Sequence, residues 1–487
     1  DAIALAPGGL ETALAALPGL IAETLERSGI PGVAVAVVHG GETVFARGFG
    51  LRELGKPEPV DIDTVFQVAS LSKPLSGTIA AVEVSAGILA WDDPAVRYLP
   101  SLRLSDDYVT ANATIGDFFA HRSGLPMAVG DELEDLGYDR DQIIERLRLV
   151  PLDDFRTSYH YANFGITIGA EAVAAASGLE WEELAEKSLF TPLDMDDTSF
   201  RNADFMARPN RAILHILEDG RFAPLYARDP DPQAPGGGAS SSVADLAEWL
   251  KLLLAGGRHG DTQLISEPAL AAMLRPQGFS GPSPAPDMRS SFYGFGFNTG
   301  VQANGRTFMG HSGAFVLGAS TNMMMLPSAD IAIVVLTNGG PVGVPETITT
   351  QFMDIVQFGR TTRDWYEFIR PRMVAYYNPI GDLAGATPPA QPAPTRSLED
   401  YVGDYDSAYF GPARIERSGN GLSLVLGPDN VVLPMTHWNG DTFAVSPRNE
   451  NAPFGSRSSL TFEVGNDGVA RFTLDYLNEL GLATWER

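Results

Sequence analysis

The sequence predicts a mixed α+β domain followed by a small all-β antiparallel barrel. Three observations carry this. Strand-forming text lies at both ends of the first part of the chain, with helix-rich text between, so the sheet joins early and late segments. A Pro/Ala-rich, almost uncharged stretch at residues 384–397 has the composition of a semi-rigid linker. Beyond it, short strand-like segments alternate with Gly/Asn/Asp turns, the pattern of a small barrel or sandwich.

The elements follow in order. Leu10 to Arg27 has helical spacing and is broken by Gly29 and Pro31. Val33 to His39 and Thr43 to Gly48 read as strands joined by a Gly40-Gly41 turn. An apolar helix is expected from Ser70 through Leu89. From Pro94 to Arg275 the text is mostly helical, with many Pro and Gly breaks. Strands return between Tyr293 and Asn338: Phe308-Met309, Gly318 to Met325 and Ile331 to Thr337. A helix from Pro345 to Gln357 follows. In the last part, strands are expected at Ala413–Arg417, Leu422–Leu426, Val431–Leu433, Thr442–Val445, Ser459–Val464 and Val469–Tyr476. Turns fall at Ser418–Gly421 and Gly465–Gly468. The expected organisation is a domain at 1–383, a linker at 384–397 and a barrel at 398–487.

Composition narrows the function classes. A chain of 487 residues is long enough for two or three domains. The net charge of −27 argues against nucleic acid and anionic membrane as partners, because phosphate recognition needs basic surface. No apolar run reaches the ~18 residues of a membrane span. The chain has no cysteine, which excludes disulfides, thiol nucleophiles and thiolate metal sites. His39, His121, His160, His215, His259 and His437 show no metal-ligand spacing, H-E-x-x-H is absent, and Asp229 with Asp231 reads as solvated loop. Gly236-Gly237-Gly238 is not followed by the Lys-Ser/Thr of a phosphate loop. His121 reads as a structural residue ending a helix before Gly124 and Pro126. No metal or organic cofactor is expected, and the oligomeric state is left open. The start, Asp1-Ala2-Ile3-Ala4, lacks Met and fits either a mature terminus or a trimmed one.

Three clusters carry chemistry. The first is Ser70-Leu71-Ser72-Lys73. Lysine is rare here, at Lys56, Lys73, Lys187 and Lys251 only. Positions i and i+3 share a helix face, so Lys73 can meet Ser70, and an adjacent amine can take the proton a serine must lose to become a nucleophile. The second is Tyr161-Ala162-Asn163. A phenol near a cationic lysine is stabilised as phenolate, and Asn163 can hydrogen-bond both the lysine and a substrate amide. The third is Gly310-His311-Ser312-Gly313-Ala314, read as lying just before an apolar strand. His311 and Ser312 offer donors to a substrate carboxylate or carbonyl, and the N–H groups of Ala314 and Ser70 can bind an oxyanion. Singly, each has a plainer reading: a capping serine with a surface lysine, a Tyr/Asn turn, a glycine-rich strand entry. Their occurrence in this order is what changes the reading.

S-x-x-K, then Y-x-N, then H-S-G resemble the penicillin-recognising serine hydrolases: class C-type β-lactamases, DD-peptidases, D-aminopeptidases and related esterases. Flanking text agrees, including His121-Arg122-Ser123-Gly124-Leu125-Pro126, Gly236-Gly237-Gly238-Ala239-Ser240-Ser241-Ser242 and Tyr293-Gly294-Phe295-Gly296. The resemblance implies the β-lactamase/transpeptidase-like fold, an antiparallel sheet flanked by helices plus a helical subdomain. It implies Ser70 as the acylated nucleophile, Lys73 as its proton acceptor, Tyr161 as general base and acid, and Asn163 as the group that orients lysine and substrate. It implies an oxyanion hole at Ser70 and Ala314, and substrate contacts at His311, Ser312 and Gly313. His311 departs from the lysine that many β-lactamases carry there, which favours the peptidase and esterase branches. The C-terminal segment, with Tyr401-Val402-Gly403-Asp404-Tyr405 and His437-Trp438-Asn439-Gly440-Asp441-Thr442-Phe443, resembles the lipocalin-like barrel found behind many such hydrolases. The expectation is a hydrolase of a small peptide, D-amino-acid derivative or ester, peptidase favoured, exported to the periplasm or outside. A carboxylesterase or acyltransferase is the first alternative. A weak β-lactamase, or a β-lactam-binding protein without turnover, is the second.

Overall fold

The structure is a computed structural model describing residues 2–283, 285–465 and 468–487. The chain forms two compact units. The first comprises Asp1–Leu102, Tyr108–Met127 and Asp153–Ala375; the second comprises Arg103–Asp107, Ala128–Leu152 and Tyr376–Arg487.

The first unit is built on an eight-stranded antiparallel sheet. Its strands are β1 (Gly32–His39), β2 (Glu42–Gly50), β3 (Gly278–Gly281), β4 (Ser291–Tyr293), β5 (Asn298–Val301), β6 (Thr307–Phe315), β7 (Ala319–Leu326) and β8 (Ile331–Thr337). Their order across the sheet is β2-β1-β8-β7-β6-β5-β4-β3. Early and late segments thus meet at β1 and β8, in the register Val35↔Val335. Both strands are runs of Val, Ile and Ala buried almost throughout, as expected for strands covered on both faces. The Gly40-Gly41 turn has φ of 62° and 76°, the left-handed pair that a two-residue hairpin requires.

Five longer helices surround the sheet: α1 (Gly9–Ser28), α2 (Ser72–Ser85), α3 (Asn163–Ser177), α4 (Val243–Leu254) and α5 (Val344–Phe358). Helices α1 and α5 pack on each other, and α5 packs on β7 and β8. Helix α4 packs on β1 and β8, its first turn capped by Ser242, which accepts from the Asp245 N–H at 3.2 Å.

The fold class is the one the sequence predicts, with local differences. Helix α2 ends at Ser85 rather than Leu89, because Ala86 closes the last turn and Gly87 takes a left-handed φ of 71°. Gly310 to Ala314 lies inside β6 rather than before a strand. Strands β3 to β5 escape sequence reading because they are only three or four residues long and Gly278, Gly281 and Gly300 dilute their pattern.

The second unit holds a closed eight-stranded antiparallel barrel: β9 (Gly403–Ser407), β10 (Gly411–Ser418), β11 (Gly421–Leu426), β12 (Val431–Asn439), β13 (Thr442–Val445), β14 (Ser458–Gly465), β15 (Gly468–Leu474) and β16 (Thr484–Glu486). Six of these strands are those expected. The expected Gly465–Gly468 turn falls partly outside the described residues. The unanticipated pair, β9 and β16, closes the barrel through Asp406↔Glu486. Inward positions alternate along β10 and β14, and the interior is filled by aromatic rings, including Phe472 and Trp485 at 5.0 Å. Residues 128–152 belong to this unit although they interrupt the first unit in sequence. The Tyr138 hydroxyl donates to Phe410 O at 2.6 Å, and the Tyr409 hydroxyl donates to Glu132 Oε1 at 3.0 Å. Burial pushes the Glu132 carboxyl up to about 7.

Candidate active site

Ser70 lies in a single 3-10 turn, Ala69–Leu71, at the entry to α2. That turn is fixed from several sides. Val68 N–H donates to Ala239 O at 2.9 Å, and Gln67 pairs with Ser240 in a two-residue ladder. The Ser72 hydroxyl donates to Ala69 O at 2.7 Å and accepts from Ala239 N–H at 2.8 Å. The Thr321 hydroxyl on β7 donates to Val68 O at 2.8 Å, tying the turn to the sheet. Ala69 is fully buried and left-handed, with φ of 49°, a conformation that costs a non-glycine residue about 1–3 kcal/mol and persists only where the surroundings impose it.

One turn on, Lys73 is completely buried. Its Nζ is 3.0 Å from Ser70 Oγ, 2.6 Å from Asn163 Oδ1 and 2.7 Å from Gly236 O. The last two are carbonyl oxygens and only accept, so two N–H bonds are committed to them. A remaining position on the nitrogen faces Ser70, as an N–H in the ammonium and as a lone pair in the amine. The ammonium position is also 4.4 Å from the Tyr161 ring centroid.

Asn163 is the first residue of α3, and Tyr161 stands two residues before it. The loop carrying Tyr161 is held to the short helix Ile115–Phe119 through the buried Asp117 carboxylate, which accepts from Arg122 Nε and from Arg156 Nη2, both at 2.8 Å. Gly236 belongs to a tight turn, Ala234–Gly238, pressed on the start of α3. A Cβ there would stand 2.9 Å from Asn163 O, so only glycine lets the Gly236 carbonyl reach Lys73 without moving Asn163.

The third cluster lies on β6, which pairs with β5 only up to Gly310↔Asn298, while β7 runs beside it to Phe315. Residues 311–315 therefore have a ladder on one side only, and it is this stretch that meets the Ser70 turn. A Cβ on Gly313 would stand 2.4 Å from Val68 O and 2.9 Å from Ser70 N. The Ser312 hydroxyl accepts from Asn322 Nδ2 at 2.8 Å. Ala314 lies one residue beyond Gly313 on the same strand.

His311 is buried, and both ring nitrogens are engaged within the protein. Nδ1 is 2.6 Å from Ser312 O and Nε2 is 2.9 Å from the Tyr293 hydroxyl. A carbonyl oxygen only accepts, so Nδ1 carries the proton and Nε2 accepts from Tyr293. Burial, reinforced by the nearby Lys73 charge, pushes the imidazole down to about 3. His311 is thus a neutral, internally bonded ring rather than a cation.

The structure gathers every residue singled out from the sequence: Ser70, Lys73, Tyr161 and Asn163 on one side, and His311, Ser312, Gly313 and Ala314 on the adjoining strand. Sequence reasoning missed two contributors. The Gly236 carbonyl and the Tyr293 hydroxyl sit in glycine-bearing stretches that were noticed only as flanking text. His121 follows the helix Ile115–Phe119 as expected, and its ring centroid is also 4.5 Å from that of Tyr161.

The beta-lactamase family matches residues 17–357, and a domain of unknown function (DUF3471) matches residues 387–483. An unguisins hydrolase, ungD′, of Aspergillus campestris is 26% identical over 79% of this chain and 74% of its own length. Penicillin-binding protein 4 of Amycolatopsis lactamdurans is 26% identical over 75% of this chain and 90% of its own. Esterase EstB of Burkholderia gladioli is 26% identical over 46% of this chain and 60% of its own. The octameric penicillin-binding protein homologue from Pyrococcus abyssi shares the fold, with a TM-score of 0.62 at 19% identity over 97% of this chain and 99% of that one. Among the described residues no helix is long and apolar enough to cross a membrane. With a match running from α1 to the end of α5, through all three clusters, the chain belongs to the beta-lactamase family of hydrolases.

Proposed function

We propose that this protein cleaves an amide or ester bond of a small peptide, D-amino-acid derivative or ester through a covalent acyl-Ser70 intermediate, with peptides favoured. The observation that carries this reading is Lys73: buried, held by two carbonyl acceptors, and 3.0 Å from Ser70 Oγ. Ser70 Oγ attacks the substrate carbonyl carbon and its proton passes to the Lys73–Tyr161 pair. The oxyanion sits between the N–H groups of Ser70 and Ala314. Tyr161 then gives the proton to the departing amine or alcohol as that bond breaks. In the second half Tyr161 removes a proton from water as it attacks the acyl carbon, and passes it to Ser70 Oγ as the acyl–Ser70 bond breaks, releasing the acid and restoring the serine. Asn163 keeps Lys73 in place and offers its amide to the substrate.

His311 supports the peptidase and esterase branches over antibiotic destruction. A neutral imidazole with both nitrogens occupied offers no charge to a β-lactam carboxylate. The relatives' names include a hydrolase, a penicillin-binding protein, an esterase and a beta-lactamase. We further propose export to the periplasm or outside, and a division into a hydrolase domain at 1–383, a linker at 384–397 and a lipocalin-like barrel at 398–487.

A fluorophosphonate probe tests the nucleophile: it is expected to label Ser70, and labelling that survives Ser70→Ala overturns the assignment. A panel of p-nitrophenyl esters, D- and L-amino acid p-nitroanilides, short peptides and nitrocefin reads the substrate class. Tyr161→Phe is expected to reduce turnover about 10²–10⁴-fold; an unchanged rate removes Tyr161 from proton transfer.

A further inference from the structure

His121 follows the short helix Ile115–Phe119 and is buried, with a left-handed φ of 55°. It grips the chain on both sides of Tyr161. Its carbonyl accepts from the His160 N–H at 3.0 Å, and its Nδ1 accepts from the Ala162 N–H at 3.2 Å. Its ring lies against Tyr161, with centroids 4.5 Å apart, and is also 4.9 Å from Tyr293 and 5.6 Å from Tyr159. An amide N–H only donates, so Nδ1 is the acceptor and the neutral ring carries its proton on Nε2. That Nε2 is buried and has no hydrogen-bond partner. Burial first, then the charge of Lys73, hold the imidazole well below its usual range and keep it neutral.

A residue kept only to fill space here would be better apolar, because leucine or phenylalanine would bury no unpaired N–H. What histidine supplies that an apolar residue lacks is the acceptor at Nδ1. That acceptor fixes the amide joining Tyr161 to Ala162, and so the direction in which the phenol leaves the chain.

We propose that His121 is a positioning residue for Tyr161: its carbonyl holds the His160 N–H and its Nδ1 the Ala162 N–H, one on each side of Tyr161, while its ring braces the phenol against Lys73. This rests on Tyr161 being the proton carrier, and the test separates the two ideas. A double-mutant cycle pairs His121→Leu with Tyr161→Phe, with p-nitrophenyl butyrate hydrolysis as the readout. His121→Leu alone is expected to lower kcat by about 10–100-fold with KM within about twofold. In the Tyr161→Phe background the same change is expected to cost less than about twofold. If Tyr161→Phe is slow but His121→Leu costs the same fold in both backgrounds, the positioning role is overturned while the role of Tyr161 stands. If Tyr161→Phe is as fast as the parent, both fall together. Should His121→Leu fail to fold, His121→Asn and His121→Gln decide. Asparagine places an oxygen near the Nδ1 position and is expected to keep kcat within about fivefold of the parent, with glutamine slower; the reverse order overturns the proposal.

Discussion

The Lys73 ammonium lies 2.6 Å from Asn163 Oδ1, closer than the 3.0 Å that separates it from Ser70 Oγ. A neutral amide at that distance holds the nitrogen in place without setting a formal negative charge beside it. Asn163→Asp replaces the amide oxygen by a carboxylate of nearly the same shape. An opposite charge within ~4–6 Å stabilises the charged form and raises a lysine pKa by about 1–3 units. The amine then appears only at higher pH. The acidic limb of kcat/KM against pH is expected to move upward, with activity at pH 7 reduced and recovering as pH rises. An unmoved limb means that Lys73 does not titrate in the rate-determining step.

Gly313 and the Ser70 turn are in contact through backbone alone, and a single methyl group tests this. A Cβ at 313 would collide with Val68 O and Thr321 Oγ1 at 2.4 Å and come within 2.9 Å of Ser70 N. Two of these atoms are backbone and cannot turn aside. Gly313→Ala is expected to displace the Ser70 N–H from the oxyanion position and to lower kcat about 10²–10³-fold. Overpacking is expected to reduce stability by about 1–3 kcal/mol. Gly19, exposed on α1 with nothing within 4 Å of a built Cβ, is the matched control. Gly19→Ala is expected to leave activity unchanged and add about 0.5–1 kcal/mol, read by chemical denaturation.

Ser70, Lys73, Tyr161 and Asn163 were legible because each is defined by what its own side chain can do at a short spacing. The central strands were legible for a related reason: Val33 to Val38 and Ile331 to Leu336 are apolar runs that only a doubly covered sheet buries. What stayed hidden depends on backbone or on distant partners. The carbonyl of Gly236 leaves no mark in a side-chain alphabet, and Nδ1 of His121 gains its meaning from an amide 41 residues away. His311 reads as a ligand-facing donor until Tyr293 and the Ser312 carbonyl are seen to take both nitrogens. The joining of residues 128–152 to the barrel unit is likewise a long-range pairing, carried by Tyr138 with Phe410 and by Glu132 with Tyr409.

Glu346 gives the stability of the first unit a pH dependence of definite sign. It stands in the first turn of α5 beside Ser312, and both carboxyl oxygens are buried. Burial pushes this carboxyl from 4.5 up to about 7, against a smaller opposing effect of backbone amides and the Ser312 hydroxyl. The folded protein therefore keeps the proton to about pH 7, whereas the unfolded chain releases it near 4.5. The folded state binds more protons across that window, so this contribution is full below pH 4.5, is lost as pH rises to about 7, and is flat above. Asp245, raised by burial to about 6, adds to the same slope, while His311, lowered to about 3, opposes it at the acid end. A variant difference isolates one group from the others. Glu346→Gln keeps the shape but cannot ionise. Its stability relative to the parent is expected to be near zero at pH 4.5 and to rise to about 1–3 kcal/mol in favour of the variant at pH 8, read by denaturant unfolding at both pH values. A difference that stays constant with pH means that Glu346 is ionised in the folded protein throughout, with its charge met by a donor.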